Sequence, residues 1–432
     1  MLPMLLPSNI GSLSTVAGDV QAAHSFPSIN LLQTAAAPTV NRRGRYHPVV
    51  DELMQEVLVP TIHAAARAAR PRRVLQVITP SHMSGAEMQL VRLTRRMEAR
   101  GHSMPVVVKT NSPANAEFER LGIDIDRRSI SGKFNPRAYW ALARATRDYR
   151  PEIIQSTLSS ASWWSGWLER MGGPPTLGHV QGFTSAAWHR QQSHLLAVSN
   201  AVKQDLVDQG IAADKVTVLY NALAPDEFVP RRGTAVVRAE FGADADTFVV
   251  GTIAHLSEKK GYRELFAAIP AVLARFPTTQ FWVVGQGDLR SELEKQADEQ
   301  GFSRQVRFLG FRRDAADIMN AIDVFALPSH REPCALVYIE AALRARPIVA
   351  CRAGGAPESV ADGETGLLVP PRDATALAEA ILTLADHRNW ARRMGQAGRE
   401  RALDVFSWQR FIGTLEGVYD RLLDERSLRA AA

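Results

Sequence analysis

Two carboxylates, Glu332 and Glu340, stand eight positions apart where an apolar run gives way to an Ala-rich stretch. The apolar residues 323–329 predict a buried strand, and the stretch after it predicts a helix that begins near Cys334 or Ala335. The first N–H groups of a helix lack internal partners and carry about half a positive charge, so they can bind a phosphate or diphosphate. Glu332 would then accept hydrogen bonds from hydroxyls of the group that is attached to that phosphate, and Glu340 could reach a ribose.

Each of these charged residues also has an ordinary interpretation. Two glutamates at this spacing are usually one residue at a helix N-terminus and one on the helix surface. Lys260, in the segment "EKKG", is by itself usually an exposed lysine. Any chemistry therefore depends on the elements that position these side chains.

Alternating apolar strands and amphipathic helices begin at Arg72, a pattern typical of a doubly wound parallel sheet. Residues 86–101 predict the first amphipathic helix, which ends at Gly101. The turn-rich segment 221–233 ends this first domain, residues 71–230. Short apolar runs predict its strands at residues 72–78, 104–109, 152–156, 175–180, 194–199 and 215–220.

The alternation restarts in a second domain, residues 231–405, and a long amphipathic helix is predicted from about Phe406 to Leu428. The sequence thus predicts an α/β protein with two Rossmann-like, doubly wound domains. Their sheets present carboxyl ends to a central cleft, the usual ligand position in such folds. The strands of the second domain are predicted at residues 247–254, 280–285, 305–310, 323–328, 347–351 and 366–370.

Residues 1–70 differ from the rest, being rich in Ser, Ala, Pro and Asn. They predict a leader of about 45 disordered residues followed by one amphipathic helix. The start lacks a basic segment, so no signal peptide is expected, and no apolar run is long enough to predict a spanning helix. Because Cys334 and Cys351 are the only cysteines, a disulfide framework is excluded and a reducing compartment is expected.

The net charge of +6 is uneven, since residues 71–230 carry 19 Lys and Arg against 14 Asp and Glu. A basic first domain can face anionic lipid or a phosphorylated acceptor, although a solvated surface explains the excess equally well. No basic run is interleaved with stacking aromatic residues, so nucleic acid is not an expected partner. Trp163 and Trp167 share one face of a predicted helix; core packing is the ordinary interpretation, and contact with a membrane or acceptor is the alternative.

Several segments together resemble retaining glycosyltransferases of the two-domain GT-B architecture, family 4 (glycosyl transferases group 1). The resemblance covers roughly Arg73 to Leu422, with the segments in the family's order. They include the loop and helix "SGAEMQLVRLTRRMEARGH", the phosphate loop "HLSEKKG" and the region "EPCALVYIEAALRARPIVACRAGGAPESVADGETGLLV" with its E-x7-E signature. The segment "FSW" resembles the start of the terminal helix, residues 406–432 here, that packs back on the first domain.

This resemblance implies a role for each matching residue. Glu332 binds hydroxyls of the donor sugar, and Glu340 binds the donor ribose. Lys260 pairs with the diphosphate, whose negative charge grows as the sugar–phosphate bond breaks. Glu332 and Lys260 are the predicted catalytic residues, and His179 and Gln181 are predicted near the acceptor and the reaction centre. The predicted donor site comprises Gly85, His255, Lys260, Glu332, Cys334, Ala335, Leu336 and Glu340.

Four positions depart from the family's pattern. His255 stands where Arg is common, and imidazole is a weaker phosphate clamp than guanidinium. Ala335 and Ser84 each replace a usual Gly. Gln181 stands where many members carry a His, and an amide cannot shuttle a proton. His179 is predicted on the same side of the strand, as a substitute or as a core histidine.

No obligatory metal or other cofactor is expected. The acidic patterns at residues 124–126 and 244–246 match the metal-binding pattern of the other major glycosyltransferase fold, but neither follows a suitable strand. If the strands before Cys334 and Cys351 are adjacent and parallel, the strand ends lie about 5 Å apart. Both thiols would then border the donor site, although two inert small residues are the ordinary interpretation.

The resemblance therefore implies a hexosyl-type, retaining glycosyltransferase that uses a nucleotide-diphosphate sugar. The acceptor is expected to be a glycan or glycolipid in bacterial lipopolysaccharide or surface polysaccharide synthesis, with the enzyme cytoplasmic, at the inner face of the cell membrane. One alternative, an epimerase built from two Rossmann-like domains, is disfavoured by the E-x7-E context. The other, a catalytically inactive sugar-nucleotide-binding protein or complex subunit, is kept open by the departures from the pattern.

Overall fold

Short buried runs of Val, Ile and Leu form most strands of this protein, and those of residues 70–431 pair in parallel throughout. The computed structural model describes residues 70–431, so the predicted leader helix lies outside the described residues. Within that range the strands form one seven-stranded and one six-stranded sheet. Parallel neighbours need crossover connections, which explains why helices alternate with strands along the sequence.

The first sheet has the strand order β3-β2-β1-β4-β5-β6-β7. Its strands are β1 (Val74–Ile78), β2 (Val106–Lys109), β3 (Ile125–Arg128), β4 (Ile153–Thr157), β5 (Thr176–Val180), β6 (His194–Ala197) and β7 (Val216–Val218). Its helices are α1 (Gly85–Ala99), α2 (Ala114–Arg120), α3 (Pro136–Tyr149), α4 (Ser159–Arg170) and α5 (Asn200–Asp208). The order reverses between β1 and β4, and a crevice opens at the carboxyl ends of such strands.

The second sheet repeats this arrangement in the order β10-β9-β8-β11-β12-β13. Its strands are β8 (Val249–Ile253), β9 (Gln280–Val284), β10 (Val306–Gly310), β11 (Val324–Leu327), β12 (Ile348–Cys351) and β13 (Gly366–Val369). The helices after β7 are α6 (Thr234–Glu240), α7 (Tyr262–Arg275), α8 (Arg290–Glu299), α9 (Ala315–Ala321), α10 (Leu336–Leu343), α11 (Ala356–Ser359), α12 (Ala374–Asp386), α13 (Arg388–Val405) and α14 (Trp408–Ala431). Two Rossmann-like sheets in one chain confirm the predicted fold class.

One strand was not predicted. Strand β3 has the sequence "IDRR", which lacks an apolar run because it lies at the edge of the sheet and is only half-buried. The acidic pattern at residues 124–126 overlaps this strand, and the Asp126 carboxylate accepts hydrogen bonds from Arg128 and Tyr149. Asp244, in the second acidic pattern, accepts a hydrogen bond from the Thr247 amide at 2.8 Å. Both acidic patterns are therefore engaged in local structure.

Apolar side chains project from both faces of the second sheet. Val250 lies in one core cluster and its neighbour Val249 in another, and Phe281 and Trp282 divide in the same way. Successive side chains of a strand point to opposite faces, so an apolar run without alternation is needed when helices cover both. This explains why the central strands read as continuous apolar segments.

Helix α14 packs against the first sheet. Its residues Phe411 and Leu415 share a core cluster with Val74 of β1 and Leu177 of β5. Beneath it, the buried hydroxyl of Tyr419 donates a hydrogen bond of 2.5 Å to the side-chain oxygen of Gln155 in β4. The last helix therefore completes the fold of the first domain.

Trp163 and Trp167 of helix α4 are not core residues. Trp163 is only half-buried and Trp167 is exposed, so the ordinary interpretation of the shared face was wrong. The apolar core beneath α4 uses Ala161 and Leu168 instead, which lie on its other side. Separately, none of the helices within residues 70–431 combines the length and apolarity needed to cross a bilayer.

Candidate active site

The loop after β8 carries Lys260 to the carboxyl edge of the second sheet. Lys260 ends a one-turn 3-10 helix, Glu258–Lys260, and Gly261 follows with φ +72°. A Cβ atom on Gly261 would lie 2.0 Å from the carbonyl oxygen of Pro328, so only glycine fits between the two loops. The His330 amide donates to the Lys259 carbonyl at 2.9 Å, which joins this loop to the one after β11.

Lys260 and Glu332 meet directly at this edge. Nζ of Lys260 lies 2.5 Å from Oε2 of Glu332, and their side chains are only 18% and 6% exposed. A charge-assisted hydrogen bond in a poorly solvated place is strong, and either charge left alone there is costly. The structure therefore brings the two predicted catalytic residues into contact.

The backbone of Glu332 is fixed by the glycine turn after β12. Glu332 forms a parallel bridge with Gly354, and the Gly355 amide donates to the Glu332 carbonyl at 2.6 Å. Gly354 has φ +58°, and a Cβ atom on it would lie 2.3 Å from the same carbonyl oxygen. The two glycines are thus needed for a close approach to the backbone of Glu332.

Helix α10 begins at Leu336, one or two residues later than predicted. Its N-cap residue, Ala335, has no side-chain oxygen, so no side-chain cap occupies the N–H groups of its first turn. Helix α1 differs, because its N-terminus carries a capping box in which the Ser84 amide donates to the Glu87 carboxylate at 3.0 Å. Of these two helix starts, the one beside Glu332 is better suited to bind an anion.

Glu340 lies in the second turn of α10 and is half-buried. Burial raises the pKa of Glu340, and the positive charge of Arg92 on α1 offsets part of that rise. Its carboxylate accepts no hydrogen bond from any residue in the described range 70–431, which leaves acceptor capacity for hydroxyl groups.

The first domain approaches this site closely. A Cβ atom on Gly85, at the start of α1, would lie 3.1 Å from a methyl carbon of Leu336. A Cβ atom on Gly182, after β5, would lie 3.8 Å from a ring carbon of Pro333. The loops after β1 and β5 therefore face the segment that carries Glu332, across a narrow cleft.

His179 and Gln181 lie together on the first-domain side. The side-chain nitrogen of Gln181 is 3.0 Å from Nε2 of His179. His179 is buried, its ring centre is 6.3 Å from that of Phe411 on α14, and burial lowers its pKa to about 4. His179 is therefore a neutral histidine that contacts the terminal helix and the half-buried side chain of Gln181.

The other predicted donor residues occupy three different environments. His255 is exposed on the loop after β8, whereas Ala335 is buried in the second-domain core. Cys334 is buried in a cluster of first-domain residues, and burial raises its pKa to about 12. Strands β11 and β12 are adjacent and parallel as assumed, but Cys351 lies in the core of the second domain and not with Cys334.

Sequence reasoning missed a contact that joins the two domains. The carboxylate of Glu358, on α11 just after the glycine turn, accepts hydrogen bonds from the amides of Asn200 (2.7 Å) and Ala201 (2.9 Å). It also accepts one from the hydroxyl of Tyr220 (2.9 Å). Burial and the bond to Glu358 raise the pKa of Tyr220 to about 12. We call this group of contacts the Glu358 clasp.

The clasp works as a helix cap supplied by another domain. Helix α5 has its own N-cap, Ser199, whose hydroxyl accepts from the Val202 amide at 3.1 Å, and Glu358 binds the two preceding amides. A carboxylate is favoured at the positive end of a helix. Arg331 adds a second link, lying 2.6 Å from a carboxylate oxygen of Asp205. No local sequence pattern reveals such a cap, because donor and acceptor are far apart in the chain.

The arrangement can bind a diphosphate and act on what is attached to it. Three groups lie close together here. They are the N-terminus of α10, which has no side-chain cap, the ammonium of Lys260 and the carboxylate of Glu332. The ammonium and helix N–H groups can stabilise negative charge on a leaving diphosphate, and the carboxylate can hold hydroxyls.

Comparison with known families matches a glycosyltransferase model to each domain. Residues 83–227 match the model described as Glycosyltransferase Family 4. The model described as Glycosyl transferases group 1 matches residues 247–387, a range that includes Lys260, Glu332 and Glu340.

Curated relatives are glycosyltransferases as well. The chain is 34% identical over 176 residues to the lipopolysaccharide core biosynthesis glycosyltransferase LpsE of Rhizobium meliloti, a match covering 41% of this chain and 51% of LpsE. It is 30% identical over 250 residues to the glycogen synthase of Mycobacterium tuberculosis, covering 56% of this chain and 59% of the relative. The chain thus matches little more than half the length of these relatives. A longer match, to LpsD of Rhizobium meliloti, is 25% identical and covers 79% of this chain and 96% of LpsD.

Solved structures share the architecture. Anabaena HepE in complex with UDP superposes with a TM-score of 0.72 at 23% identity, covering 80% of this chain and all of HepE. The lipopolysaccharide biosynthesis glycosyltransferase WaaG has a TM-score of 0.62 at 16% identity, over 81% of this chain and 99% of WaaG. The chain therefore has the GT-B fold, with a glycosyltransferase family model matching each of its two domains.

Proposed function

We propose that this protein is a retaining glycosyltransferase of the hexosyl type. It transfers a sugar from a nucleotide-diphosphate sugar to a glycan or glycolipid acceptor, in the synthesis of bacterial lipopolysaccharide or surface polysaccharide. The observation that carries the proposal is the direct pair of Lys260 and Glu332 beside the N-terminus of α10, which lacks a side-chain cap.

The pair supports a position for the bond that is broken in this proposal. Glu332 is suited to hydroxyls of the sugar and Lys260 to the diphosphate, and their side chains are one hydrogen bond apart. The bond between the sugar and the diphosphate therefore belongs next to this pair. As that bond breaks, charge develops on the leaving diphosphate, where Lys260 and the first N–H groups of α10 stabilise it. In this proposal Glu340, further along α10, accepts hydrogen bonds from the ribose hydroxyls.

Retention of configuration is inferred from the resemblance of the E-x7-E region to retaining enzymes. Three carboxylates at the cleft already have partners: Glu87 caps α1, Glu332 binds Lys260, and Glu358 caps α5. Catalysis in this proposal accordingly rests on stabilising the leaving group, with no covalent nucleophile assigned and no metal required.

The acceptor belongs on the first-domain side, near Gln181. Relatives named for lipopolysaccharide core synthesis support an acceptor of that kind. The excess of five basic charges over acidic ones in residues 71–230 (19 against 14) supports a place at an anionic membrane surface, on the cytoplasmic face.

The test is to incubate the purified full chain with a panel of nucleotide sugars and measure release of the nucleoside diphosphate. Slow release of the nucleoside diphosphate from one donor, stimulated by membrane glycolipid and strongly lowered in Lys260→Ala, supports the proposal. The anomeric configuration of the product, read by NMR, tests retention. Tight donor binding without turnover, with and without glycolipid, would instead identify a catalytically inactive sugar-nucleotide-binding protein.

A further inference from the structure

Large apolar side chains are concentrated on one exposed surface of the first domain. Phe134 is 82% exposed, Met171 72% and Trp167 37%. Ring contacts join Phe134 and Trp167 to the half-buried Trp163 and Trp188. The ring centres of Phe134 and Trp163 lie 6.5 Å apart, those of Trp163 and Trp167 5.8 Å, and those of Trp163 and Trp188 5.7 Å. A contiguous exposed apolar surface of this kind marks a place where the protein binds something.

The spacing along α4 makes part of this surface a stripe. Trp163 and Trp167 are four residues apart, and Met171, the C-cap residue, follows four residues later. Residues at this spacing lie above one another on one side of a helix. The stripe faces outward, because the buried residues Ala161 and Leu168 occupy the side toward the sheet.

Two cations flank the aromatic rings. Nζ of Lys133 lies 3.5 Å from the ring centre of Trp188, and the guanidinium of Arg170 lies 5.8 Å from that of Trp167. Within residues 70–431 neither cation has a carboxylate partner; Arg170 donates instead to the side-chain oxygen of Gln191 at 2.6 Å. We call these seven residues the aromatic–basic patch: Lys133, Phe134, Trp163, Trp167, Arg170, Met171 and Trp188.

The patch adjoins the rim of the cleft. Phe134 follows β3, Trp163 lies near the start of the helix after β4, and Trp188 follows β5. The carboxyl ends of these parallel strands share one edge of the sheet, the edge that also presents Gln181. A surface pressed against the patch would therefore lie beside the first-domain wall of the cleft.

We propose that the aromatic–basic patch docks the protein on a lipid bilayer with anionic headgroups. Indole rings favour the boundary between headgroups and acyl chains, and unpaired cations beside them bind lipid phosphates. This inference builds on the proposed function, since docking here brings the cleft to a lipid-linked acceptor, but its first measurement needs neither donor nor acceptor.

A bilayer fits the patch better than a saccharide does. Sugar sites combine an aromatic face with carboxylates and amides that hold hydroxyls. The carboxylate nearest in sequence, Glu169, is turned inward, where it accepts bonds from the amide (3.0 Å) and hydroxyl (2.5 Å) of Thr176. The outward chemistry of the patch is thus aromatic and cationic.

The experiment is flotation of the full chain with vesicles of phosphatidylglycerol and phosphatidylethanolamine, compared with vesicles of phosphatidylcholine alone. We expect binding to the anionic vesicles that weakens with salt. Phe134→Ser/Trp167→Ser and, separately, Lys133→Glu/Arg170→Glu should each weaken it by about tenfold or more. Val236→Ser is the matched control, because Val236 is 61% exposed on the second domain, and it should bind as the parent does.

Four other outcomes would overturn the inference. Full retention of vesicle binding in both double variants, with unchanged circular dichroism and melting temperature, would show that another segment holds the bilayer. Equal binding to phosphatidylcholine would remove the role of the cations. A soluble core oligosaccharide that quenches tryptophan fluorescence in the parent, but not in Phe134→Ser/Trp167→Ser, would make the patch a saccharide site. Concentration-dependent dimers that are lost in the same variant would make the patch a contact between copies of the chain. A protein that binds vesicles through the patch but lacks transferase activity would refute the proposed function alone.

Discussion

Lys260 and Glu332, 72 positions apart in the chain, form a direct ion pair at the edge of the second sheet. The loop of Lys260 reaches this position only because Gly261 has no side chain. A Cβ atom on Gly261 would lie 2.0 Å from the carbonyl oxygen of Pro328. Glu332 is held by the glycine turn at Gly354 and Gly355. Two separate backbone contacts thus fix the position of one side-chain pair.

Removing the ammonium of this pair should lower activity and stability together. We expect Lys260→Ala to lower kcat/KM for donor cleavage by about a hundredfold or more, because the leaving diphosphate loses a fixed positive charge. The variant should also be less stable, since Glu332 keeps a buried charge without its partner. Steady-state kinetics and chemical denaturation measure the two effects.

The neighbouring Lys259 provides the matched control, since its side chain is exposed while its carbonyl still binds the His330 amide. Lys259→Ala should leave kcat/KM within about twofold of the parent value, and it should leave the free energy of unfolding nearly unchanged. A Lys260→Ala/Glu332→Gln double variant should regain part of the lost stability but none of the activity. Equal activity of Lys259→Ala and Lys260→Ala would contradict the role given to Lys260.

Loss of the Glu358 clasp should loosen the contact between the domains. In Glu358→Ala the amides of Asn200 and Ala201 lose their acceptor, so their hydrogen exchange should speed up by about tenfold or more. Native-state hydrogen exchange read by mass spectrometry on the peptide containing these residues measures this. Glu364→Ala, an exposed glutamate in the same region, should leave the exchange unchanged. Unchanged protection in Glu358→Ala would show that the clasp does not form in solution.

Both cysteines should resist thiol reagents in the folded protein. Burial raises the pKa of the Cys334 and Cys351 thiols to about 12, and the thiolate is the reactive form. At pH 8 we expect modification by Ellman's reagent to be slower by about a thousandfold or more than in denaturant, where both thiols are free. Rapid native titration of either thiol, assigned with Cys334→Ala and Cys351→Ala, would contradict this burial.

Acid should destabilise the protein through its buried histidines. Burial lowers the pKa values of His179, His189 and His194 to about 4, below their value near 6.5 in an unfolded chain. Between these values the unfolded chain binds more protons, so the free energy of unfolding falls as the pH falls from about 6.5 to about 4. Denaturant titrations at several pH values measure the slope.

His189 isolates this effect, because neither of its ring nitrogens has a hydrogen-bond partner among the described residues. His189→Leu introduces an apolar side chain of similar size that cannot titrate, and it should reduce proton uptake on unfolding by about one proton in that pH range. The same slope in both proteins would show that His189 is protonated in the native state.

Strands were predicted well where burial on both faces left continuous apolar runs, as at β8 and β11. Strand β3 was not predicted because an edge strand can be polar. The acidic pattern that overlaps it was instead compared with a metal-binding pattern. Glu332 and Lys260 could be singled out from the resemblance, and the start of α10 from local pattern. Their direct contact could not, because it depends on how two loops pack against each other.

Contacts between domains were the least predictable. Glu358 lies in a segment that resembles the family, yet its partner Asn200 is known only once the two sheets are placed. Trp163 and Trp167 have the spacing of a buried helix face, and sequence pattern alone cannot tell a face that meets a core from one that meets something else. Cys334 was placed beside the donor by position, whereas its side chain packs into the other domain.

The packing of α14 on the first sheet has a consequence for how the protein is made. A ribosome completes β1 to β7 and then the entire second domain before it releases the helix that carries Phe411 and Tyr419. Until then the apolar surface around Val74 and Leu177 has no cover, and Gln155 has no hydroxyl to bind. The nascent first domain therefore waits for α14 to be translated, so the second domain, translated later than β1 to β7, is the first to be able to finish folding.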